Sequence, residues 1–454
     1  MPLKTLHLTN SWHATSGGVA TFYRALMEAA NQRGHLIRLV VPGASDRVEE
    51  AGACARIYYV KAPHAPLNSE YRMIYPTQFV PPGSPVQKIL AAERPDLVEI
   101  CDKYTLNYVG ALLRRGLLHA VNFRPVVVGL SCERMDVSFQ TYLGRVPLSR
   151  AFCAAYVKWL YFPFFDHHIA NSEYTAGELR LASREQMIVR NTWVRPMGVD
   201  LHHFSPARKS REAQHSLRKK CGGTDDSVLL LYAGRLAPEK NLALLFEVFA
   251  RLVRDAHRDY RLLIAGDGIE RSHWEAFCAS HAPGRALFLG HINDPDELAC
   301  LLANADAFVH PNPREPFGIA PLEAMASGLP LVAPHRGGVG SYANSENAWI
   351  AAPDPESFAS AIKALLGDEC ETIRRARNAL RTAAEFGWEK VAVSFLDLYA
   401  EIYRAAGAGS DALPSPDFSS TLARGMRLAF SRGVSQSAET IFRLASTLFW
   451  PSGS

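Results

Sequence analysis

The sequence predicts an α/β fold with two similar domains that face each other across a cleft. The first observation is the length, because 454 residues exceed what one typical hydrophobic core supports. The second is the composition: 48% hydrophobic and 21% charged residues describe an ordinary globular protein. The third is a repeated opening. Residues 3–33 and residues 227–253 each read as a strand, a glycine-containing loop and a helix, which fits two facing domains better than one large sheet.

Charge and cysteine usage exclude several classes of protein. The net charge of +4 and the pI near 8.6 permit association with an anionic lipid surface but do not indicate a nucleic-acid partner. The eight cysteines form no C-x-x-C pair, which is typical of reduced thiols in a cytoplasmic protein rather than of disulfides or a zinc site. The amino-terminal residues lack a signal-peptide profile, and no run of about eighteen apolar residues predicts a membrane-spanning helix. We therefore expect a cytoplasmic protein.

The first half opens with a βαβ unit. An apolar strand at 3–8 is followed by Gly17 and Gly18, a helix at 19–33 and a second strand at 36–41. The glycine loop therefore lies at the carboxyl end of the first strand, where open α/β sheets bind ligands. Many such loops are only tight turns, so the two glycines alone leave both a ligand loop and a simple turn open.

Further along the first half, two segments have more than one interpretation. Residues 61–85 are rich in proline and tyrosine and are predicted to form a long ordered loop, either beside the ligand cleft or as a passive connection. Residues 151–165 are apolar and aromatic, which indicates either a buried helix or a surface helix that dips into a membrane face. Buried strands are predicted at 96–100 and 125–130, and Ser172 is expected to cap a helix.

The second half repeats the opening with charged residues in the loop. A strand at 228–232 leads into Gly234 and Arg235, and Lys240 precedes a helix at 242–253. Two cations and unpaired backbone amides at a helix start form a cradle for a diphosphate. By itself the G-R-x-x-x-x-K spacing is a weak signal, because exposed arginine and lysine are common.

The most informative stretch is a strand–loop–helix–strand unit at 307–334. A strand at 307–309 enters a proline-rich loop that contains Gly318. A helix is predicted to begin near Ile319 and to end at Gly328. The unpaired N–H groups and the dipole of a helix start favour an anion, most often a phosphate, and Gly318 allows that anion a close approach to the backbone.

Two carboxylates flank this predicted phosphate site. Glu315 lies in the loop before the helix, and Glu323 is expected in the first turn, where side chains lean back toward the helix start. Carboxylates accept hydrogen bonds from vicinal hydroxyls, so a ligand with both phosphates and diols, a sugar nucleotide, suits the site. The alternative is that Glu323 caps the helix and that Glu315 is a solvated loop charge.

The spacing of these two acids carries a family resemblance. Glu315, seven residues and then Glu323 resemble the E-x7-E motif of the retaining GT-B glycosyltransferases of family 4. The resemblance covers roughly residues 3–405 and implies a GT-B fold, in which two Rossmann-like domains face each other across a cleft and a C-terminal helix crosses back. The implied parts are an acceptor-binding domain at 1–200, a nucleotide-sugar-binding domain at 201–385, a crossover helix at 386–405, and a linker with a basic amphipathic tail at 406–454.

The resemblance implies transfer of a hexose from a nucleotide diphosphate sugar to an acceptor hydroxyl, with retention of the anomeric configuration. Its implied catalytic residues are Glu315, Arg235 and Lys240. Arg235 and Lys240 would neutralise the leaving diphosphate, and Glu315 would hold the hydroxyls of the donor sugar. The implied substrate-binding residues are Gly17, Gly18, Gly234, Ile292, Phe317, Gly318, Ile319 and Glu323.

Two further segments bear on the chemistry. Asp294, Pro295 and Asp296 formally match the D-x-D of metal-dependent transferases, but a proline directly after an aspartate predicts a helix N-cap. The D-x-D match is therefore rejected, and the resemblance implies that no metal or cofactor is needed. Many members of the resembled family have a histidine just after the strand at 125–130, where this chain has Ser131 and Cys132, so the role of that histidine is not carried over.

The implied partners are a nucleotide sugar and a lipid or saccharide acceptor, with no nucleic acid; GDP-mannose and UDP-glucose both stay open as donors. The basic run at 208–220 is either a solvated helix face or a contact for an anionic partner. The basic amphipathic tail at 422–450 either lies on an anionic membrane, as a peripheral protein at its inner face, or packs on its own protein. Two other functions stay open: a GT-B epimerase or phosphorylase, and a non-catalytic nucleotide-sugar-binding protein.

Overall fold

The computed structural model describes residues 2–13, 17–65, 68–143, 149–181 and 192–408. Most of the predicted linker and the whole basic amphipathic tail at 422–450 lie outside the described residues. Two large sheets form, one in each half of the chain, and a separate two-stranded sheet lies in the first half. The fold is thus the predicted α/β arrangement of two lobes.

The first sheet is almost entirely parallel. The strands of the first half are β1 Lys4–Thr9, β2 Leu36–Gly43, β3 Arg47–Glu50, β4 Ala55–Lys61, β5 His64–Ala65, β6 Asn68–Arg72, β7 Leu97–Cys101, β8 Val126–Ser131, β9 His167–Ala170 and β10 Thr192–Val194. Eight of them pair in the order β10-β9-β8-β7-β1-β2-β4-β3, and only the edge pair β3–β4 is antiparallel. Buried, β-branched strands explain the parallel pairing. The carboxyl ends of the parallel strands therefore meet at one edge.

Helices connect these strands. They are α1 Gly18–Arg33, α2 Pro85–Glu93, α3 Asn107–Arg114, α4 Met135–Leu143, α5 Ser149–Tyr156 and α6 Glu173–Leu181. α1 ends as the sequence predicted: Gly34 adopts a left-handed conformation with φ 74°, and its N–H donates to the carbonyl of Ala30. At the start of α6, the hydroxyl of Ser172 accepts from the N–H of Thr175 at 3.0 Å, so the predicted N-cap is also present.

The structure distinguishes between the alternative interpretations of two segments in the first half. After α5 the chain continues through a π-helical turn, Val157–Tyr161, and a 3-10 turn, Phe162–Phe164. Tyr156, Val157 and Tyr161 are buried in the core of the first lobe, which favours the buried-helix interpretation. The prediction of one long loop at 61–85 was wrong, because that segment contains the β5–β6 hairpin and a further 3-10 turn.

The second sheet is parallel throughout. Its strands are β11 Val228–Ala233, β12 Tyr260–Ala265, β13 Ala286–Gly290, β14 Ala307–Val309, β15 Leu331–Pro334 and β16 Trp349–Ala351, in the order β13-β12-β11-β14-β15-β16. The helices of this half are α7 Arg211–Lys220, α8 Leu242–Asp255, α9 Arg271–His281, α10 Pro295–Asn304, α11 Ile319–Ala326, α12 Pro355–Gly367, α13 Glu369–Glu385 and α14 Trp388–Ala408. The basic run became α7, which is largely exposed. Gly328 follows α11 with φ 73°, as expected of a glycine that ends a helix.

α14 crosses back onto the first lobe, which confirms that part of the fold prediction. Its Phe395 packs on Phe22 of α1 with ring centroids 4.7 Å apart, and the hydroxyl of Tyr399 donates to the buried carboxylate of Glu99 on β7. The two places where the chain passes between the lobes are hydrogen-bonded to each other. The N–H of Val199 donates to the carbonyl of Phe386 at 2.8 Å. One hydrophobic cluster includes buried side chains of both lobes.

Within the described ranges, no helix combines the length and the apolar character that a membrane crossing requires.

Candidate active site

The loops at the carboxyl edge of the second sheet pack closely enough for their backbones to form hydrogen bonds with each other. The N–H of Gly234 donates to the carbonyl of Ala265 at 2.9 Å, and the N–H of Leu236 donates to the carbonyl of Asp267 at 2.8 Å. A Cβ on Gly266 would lie 1.9 Å from the carbonyl oxygen of Gly234. Glycine is therefore required here, and the loop that carries Arg235 is fixed by its neighbour.

A lysine and a glutamate from distant parts of the chain meet at the centre of this edge. Lys240 follows β11 and Glu315 follows β14, its neighbour in the sheet. The Nζ atom of Lys240 lies 3.0 Å from both carboxylate oxygens of Glu315. Asn312 donates a third hydrogen bond to the same carboxylate at 3.0 Å. An ammonium has three N–H donors, and this pairing uses two of them.

Glu315 is ionised although it is buried. Burial acts to raise its pKa, but Lys240 and His310 favour the charged form, and the hydrogen bonds from Lys240 and Asn312 add to this. The net effect lowers the pKa of Glu315 to about 2. Burial also lowers the pKa of His310 to about 4, against the opposite pull of Glu315. His310 is therefore neutral near pH 7, and the site holds one fixed carboxylate beside one ammonium.

The start of α11 is open to an anion. Its N-cap is Gly318, with φ 90°, and neither a side-chain cap nor an acidic residue occupies the first turn. The hydroxyl of Tyr342 donates to the carbonyl of Gly318, which holds this turn from behind. The first N–H groups of α11 therefore have no capping side chain, which is a feature that phosphate-binding helix starts share.

Glu323 is on the same helix but lies beyond its first turn. α11 begins at Ile319, so Glu323 opens the second turn, and the prediction of the first turn was wrong. Burial, and to a smaller extent the negative charge of Asp200, raises the pKa of Glu323 to about 7. Burial, and to a smaller extent the charges of Glu315 and Glu323, raises the pKa of Tyr342 well above its ordinary value, so the two acids lie near one phenol.

Arg235 is the second predicted cation of the cradle. Its guanidinium is about half exposed (49%) and donates to the carboxylate of Glu239 at 2.6 Å. Sequence reasoning missed Glu239, although its spacing of four residues from Arg235 is the usual spacing of such a pair. The backbone carbonyl of Arg235 accepts from the hydroxyl of Tyr232 at 3.2 Å, which holds the Arg235 backbone next to β11.

The first lobe reaches the same place through its glycine loop. A Cβ on Gly18 would lie 2.4 Å from the Cδ1 atom of Ile319, so the start of α1 and the start of α11 face each other at contact distance. Gly17 is exposed and caps α1 without a side chain. The structure therefore brings Gly18, with Gly17 next to it in the chain, to the boundary between the lobes beside Ile319, which follows Gly318.

The first lobe also contacts the loop between the two acids, which sequence reasoning did not anticipate. The carbonyl oxygen of Pro316 accepts from the hydroxyl of Ser172 at 2.5 Å and from that of Thr175 at 3.2 Å. More than a hundred and forty residues separate these partners along the chain. No spacing rule connects residues so far apart, so only the fold could find this contact.

Two other predicted binding residues differ in position. Phe317 is buried (2% exposed) and packs on Tyr342 with ring centroids 5.3 Å apart, so a ligand could reach only its backbone. Ile292 lies just beyond β13, at the same carboxyl edge, and packs against the shared core. The interpretation of Asp294 as an N-cap is confirmed, because its carboxylate accepts from the N–H of Asp296 at 2.9 Å.

In the part of the chain that the structure describes, no group of three or more metal-binding side chains comes together. Cys132, at the place of the family's histidine, instead lies beside Cys101, with the two Sγ atoms 3.8 Å apart.

Two family models match the chain. The model "Glycosyl transferases group 1" matches residues 214–385, and the model "Glycosyltransferase Family 4" matches residues 16–203. The first match spans the lobe that contains Lys240, Glu315 and Glu323. The second spans the lobe that contains Gly17 and Gly18.

Characterised relatives cover most of the chain. The GDP-mannose-dependent alpha-(1-6)-phosphatidylinositol dimannoside mannosyltransferase of Mycobacterium tuberculosis is 31% identical over 397 residues, which is 87% of this chain and 95% of that protein. The GDP-mannose-dependent alpha-mannosyltransferase of Corynebacterium glutamicum is 26% identical over 343 residues, 74% of this chain and 73% of that protein. Among solved structures, the sucrose-phosphate synthase of Thermosynechococcus elongatus has the same fold, with a TM-score of 0.68 at 21% identity over 88% of this chain and 100% of that one.

Proposed function

Because this chain belongs to the group 1, family 4 glycosyltransferases and is thus a hexosyltransferase, we propose that it transfers mannose from GDP-mannose to a hydroxyl of a glycolipid. The choice of donor is supported by the two GDP-mannose-dependent mannosyltransferases to which the chain is similar. The choice of acceptor is supported by the first of them, a phosphatidylinositol dimannoside mannosyltransferase that the chain covers over 95% of its length. One observation carries the assignment of the site. The Lys240–Glu315 pair lies at the same sheet edge as the uncapped start of α11.

The chemical problem is the charge that builds on the leaving diphosphate as the glycosidic bond lengthens. We assign Lys240, Arg235 and the backbone amides of Gly318 and Ile319 to the stabilisation of that charge. Lys240 retains one N–H donor beyond those used by Glu315, and a phosphate oxygen is a suitable acceptor for it. Gly234 keeps the Arg235 loop close to the sheet.

The two acids are assigned to hydroxyl groups. Glu315, ionised and oriented by Lys240 and Asn312, would accept hydrogen bonds from the hydroxyls of the donor sugar. Glu323 would accept from the ribose hydroxyls, with Ile292 near the base. The family resemblance implies a reaction without an enzymic nucleophile or a metal, in which the departing phosphate takes the acceptor proton and the anomeric configuration is retained.

The acceptor is assigned to the first lobe. We treat residues 1–200 as the acceptor-binding domain and 201–385 as the donor-binding domain, with the crossover helix closing the hinge. Gly17 and Gly18 would admit the acceptor hydroxyl next to the donor, since Gly18 already meets Ile319. Closure of the two lobes would exclude water and limit hydrolysis of the donor.

The test is a comparison of donors with product identification. Purified protein is mixed with a phosphatidylinositol-type mannolipid and either GDP-mannose or UDP-glucose, and nucleoside diphosphate release and lipid mass are followed. We expect release of GDP and a lipid heavier by one hexose with GDP-mannose only. Turnover with UDP-glucose alone would refute the donor, and no turnover with any sugar nucleotide would favour a non-catalytic binding protein.

A lipid acceptor implies work at a membrane surface. We propose peripheral association at the inner face of the membrane through the basic amphipathic tail, whose sequence combines arginines with Phe449 and Trp450. Replacing both aromatic residues with serine should reduce co-sedimentation with anionic liposomes. Unchanged sedimentation would show that the tail is not the anchor.

A further inference from the structure

The loop between the two acids is held by both lobes, and each holds a different carbonyl. The carbonyl of Glu315 accepts from the N–H of Gly338 at 2.7 Å, and that of Gly318 accepts from the hydroxyl of Tyr342. Both of these donors belong to the second lobe. The carbonyl of Pro316, between them, accepts from Ser172 and Thr175 of the first lobe. This segment is therefore completed only when the two lobes are together.

The hydroxyl protons can be assigned. The oxygen of Ser172 accepts from the N–H of Thr175 at 3.0 Å, and its single proton has two acceptors within reach: Pro316 at 2.5 Å and the hydroxyl oxygen of Thr175 at 3.1 Å. The shorter distance assigns the proton to Pro316. Ser172 and Thr175 are 1% and 0% exposed, so water does not compete for this contact.

We propose that Ser172 and Thr175 are positioning residues of the transfer reaction. They hold the Pro316 carbonyl across the lobe boundary and thereby set the carboxylate of Glu315, one residue earlier, and the start of α11, which Gly318 caps. This inference rests on the proposed function, because it takes Glu315 and α11 as the donor-binding elements. It adds that their final geometry depends on the approach of the first lobe.

The physical consequence is a separation of donor binding from donor use. The groups assigned to donor binding belong mainly to the second lobe and remain when Ser172 and Thr175 are altered. In these variants the Glu315 carboxylate would no longer be held in the orientation that the reaction requires relative to the donor sugar. A displacement of about 1 Å at a reacting group can cost about 100-fold in rate, so the loss should appear in kcat rather than in donor affinity.

The variants are Ser172→Gly, Thr175→Val and their combination. Glycine is nearly as good an N-cap as serine, within a few tenths of a kcal/mol, and valine keeps the shape of threonine. For the double variant we expect kcat for transfer to fall about tenfold or more, the Kd for GDP to change less than about twofold, and the ratio of donor hydrolysis to transfer to rise.

Two control variants separate this role from helix capping and from folding. Ser210→Gly removes another N-cap serine, which accepts from the N–H of Ala213 at 3.0 Å, and it should leave kcat unchanged. Thr175→Ser restores the hydroxyl and should recover most of the rate lost in Thr175→Val. Wild-type kcat in the folded double variant, or an equal loss in Ser210→Gly, would overturn the proposal. Absence of transfer by the wild-type protein with every sugar nucleotide would instead count against the proposed function.

A second, independent observation is the contact between Cys101 and Cys132. Their Sγ atoms are 3.8 Å apart, at the carboxyl ends of the neighbouring strands β7 and β8. Cys101 is buried and Cys132 is partly exposed. The pKa of Cys101 lies well above its ordinary value, because of the hydrogen bond to Cys132 and because of burial. An oxidant from solvent would therefore meet Cys132 first.

We infer that these two thiols form a reversible disulfide when the protein meets a peroxide. Hydrogen peroxide would oxidise the Cys132 thiol to a sulfenic acid with release of one water. The Cys101 sulfur would then attack the Cys132 sulfur, giving the disulfide and a second water, with the peroxide as the species reduced. To form the bond, the sulfur atoms must approach from 3.8 Å to about 2.05 Å.

Peptide mass spectrometry under non-reducing conditions tests this. After brief treatment with hydrogen peroxide we expect a peptide pair joined through Cys101 and Cys132, which dithiothreitol separates, and in Cys101→Ser a Cys132 that proceeds to sulfinic acid. Cys278→Ser, at a buried position in the other lobe, should leave the crosslink intact. Oxidation of Cys132 in wild-type protein without the crosslink, or no oxidation at all, would overturn the inference.

Discussion

At the residue scale, the contact between Lys240 and Glu315 determines what each can do. In the sequence they belong to two separate motifs, with Lys240 predicted to bind the diphosphate and Glu315 predicted to bind the donor sugar. The structure pairs them at 3.0 Å, so each also fixes the other. A buried carboxylate with a pKa lowered to about 2 is a permanent acceptor for hydroxyl groups rather than a general acid near pH 7.

Lys240→Ala should lower kcat by about 100-fold or more, because it removes a cation from the position where charge develops on the leaving diphosphate. It also leaves the buried Glu315 carboxylate without its main partner, so the pKa of Glu315 should rise from its low value. Steady-state kinetics measure the first effect. The control is Lys219→Ala on the exposed surface of α7, which removes the same charge away from the site. Wild-type kcat in Lys240→Ala would contradict the assigned cradle.

Donor binding should depend on pH through Glu323. Its pKa is raised to about 7, so the carboxyl is protonated below that pH and ionised above it. Only the carboxylate accepts hydrogen bonds from both ribose hydroxyls, and therefore affinity should increase as pH rises. Between pH 6 and pH 8 the ionised fraction grows about tenfold, and the Kd for GDP-mannose should fall by a similar factor.

Isothermal titration calorimetry across this range measures the effect. A sugar nucleotide is the right ligand, because its diphosphate has no ionisation in the same range. Glu323→Gln should bind more weakly and show a nearly flat profile. A slope that persists in Glu323→Gln would assign the pH dependence to another group.

At the scale of elements, the sequence was most informative where backbone chemistry marks the boundaries. The strand at 307–309 and the start of α11 at Ile319 were predicted at the residues where they occur. Prolines and glycines surround both, and such residues restrict the backbone whatever the tertiary context. The same reasoning placed the ends of α1 and α11 at Gly34 and Gly328.

One of the missed elements, β3, lacks such markers. β3 is a four-residue edge strand, Arg-Val-Glu-Glu, whose charged residues give no hydrophobic alternation. Contacts between elements could not be predicted either. The contacts of Lys240 with Glu315 and of Ser172 with Pro316 depend on which loops the two sheets bring together. The chemistry of the site could thus be predicted from motifs, but its internal pairing could not.

The crossover helix α14 is attached through a buried polar group, which gives a test at this scale. Tyr399 donates to the carboxylate of Glu99, which also accepts from Tyr23 at 2.9 Å and contacts His7 at 3.0 Å. Tyr399→Phe removes one donor from a fully buried acceptor and should lower the free energy of unfolding by about 1–3 kcal/mol. Urea denaturation measures this. Tyr403→Phe, at a 41% exposed position of the same helix where the hydroxyl meets Asp96 at the surface, should lower it by less, about 0.5 kcal/mol.

At the scale of the whole molecule, the two lobes are joined where the chain crosses between them twice. Val199 of the first crossing and Gly387 of the second form a parallel bridge, and the N–H of Trp388 donates to the carbonyl of Val199 at 3.1 Å. Gly18, Ser172 and Thr175 of the first lobe contact the donor-binding loop of the second lobe. A substitution at this hinge should therefore alter the geometry of the site although the substituted residue contacts no ligand.

Gly198→Ala tests this coupling. A Cβ at this position would lie 2.5 Å from the ring of Trp388 and 3.0 Å from the carbonyl oxygen of Phe386, so the two crossings must shift apart. We expect unfolding to become easier by about 1–3 kcal/mol and kcat to fall about tenfold, while the Kd for GDP stays within about twofold because the diphosphate cradle lies in one lobe. Gly367→Ala, whose Cβ meets no atom within 4 Å, should match the wild-type protein in all three measurements. If Gly198→Ala lowered GDP affinity and kcat in the same proportion, the donor site would itself span the hinge, and the separation of donor binding from lobe closure would have to be abandoned.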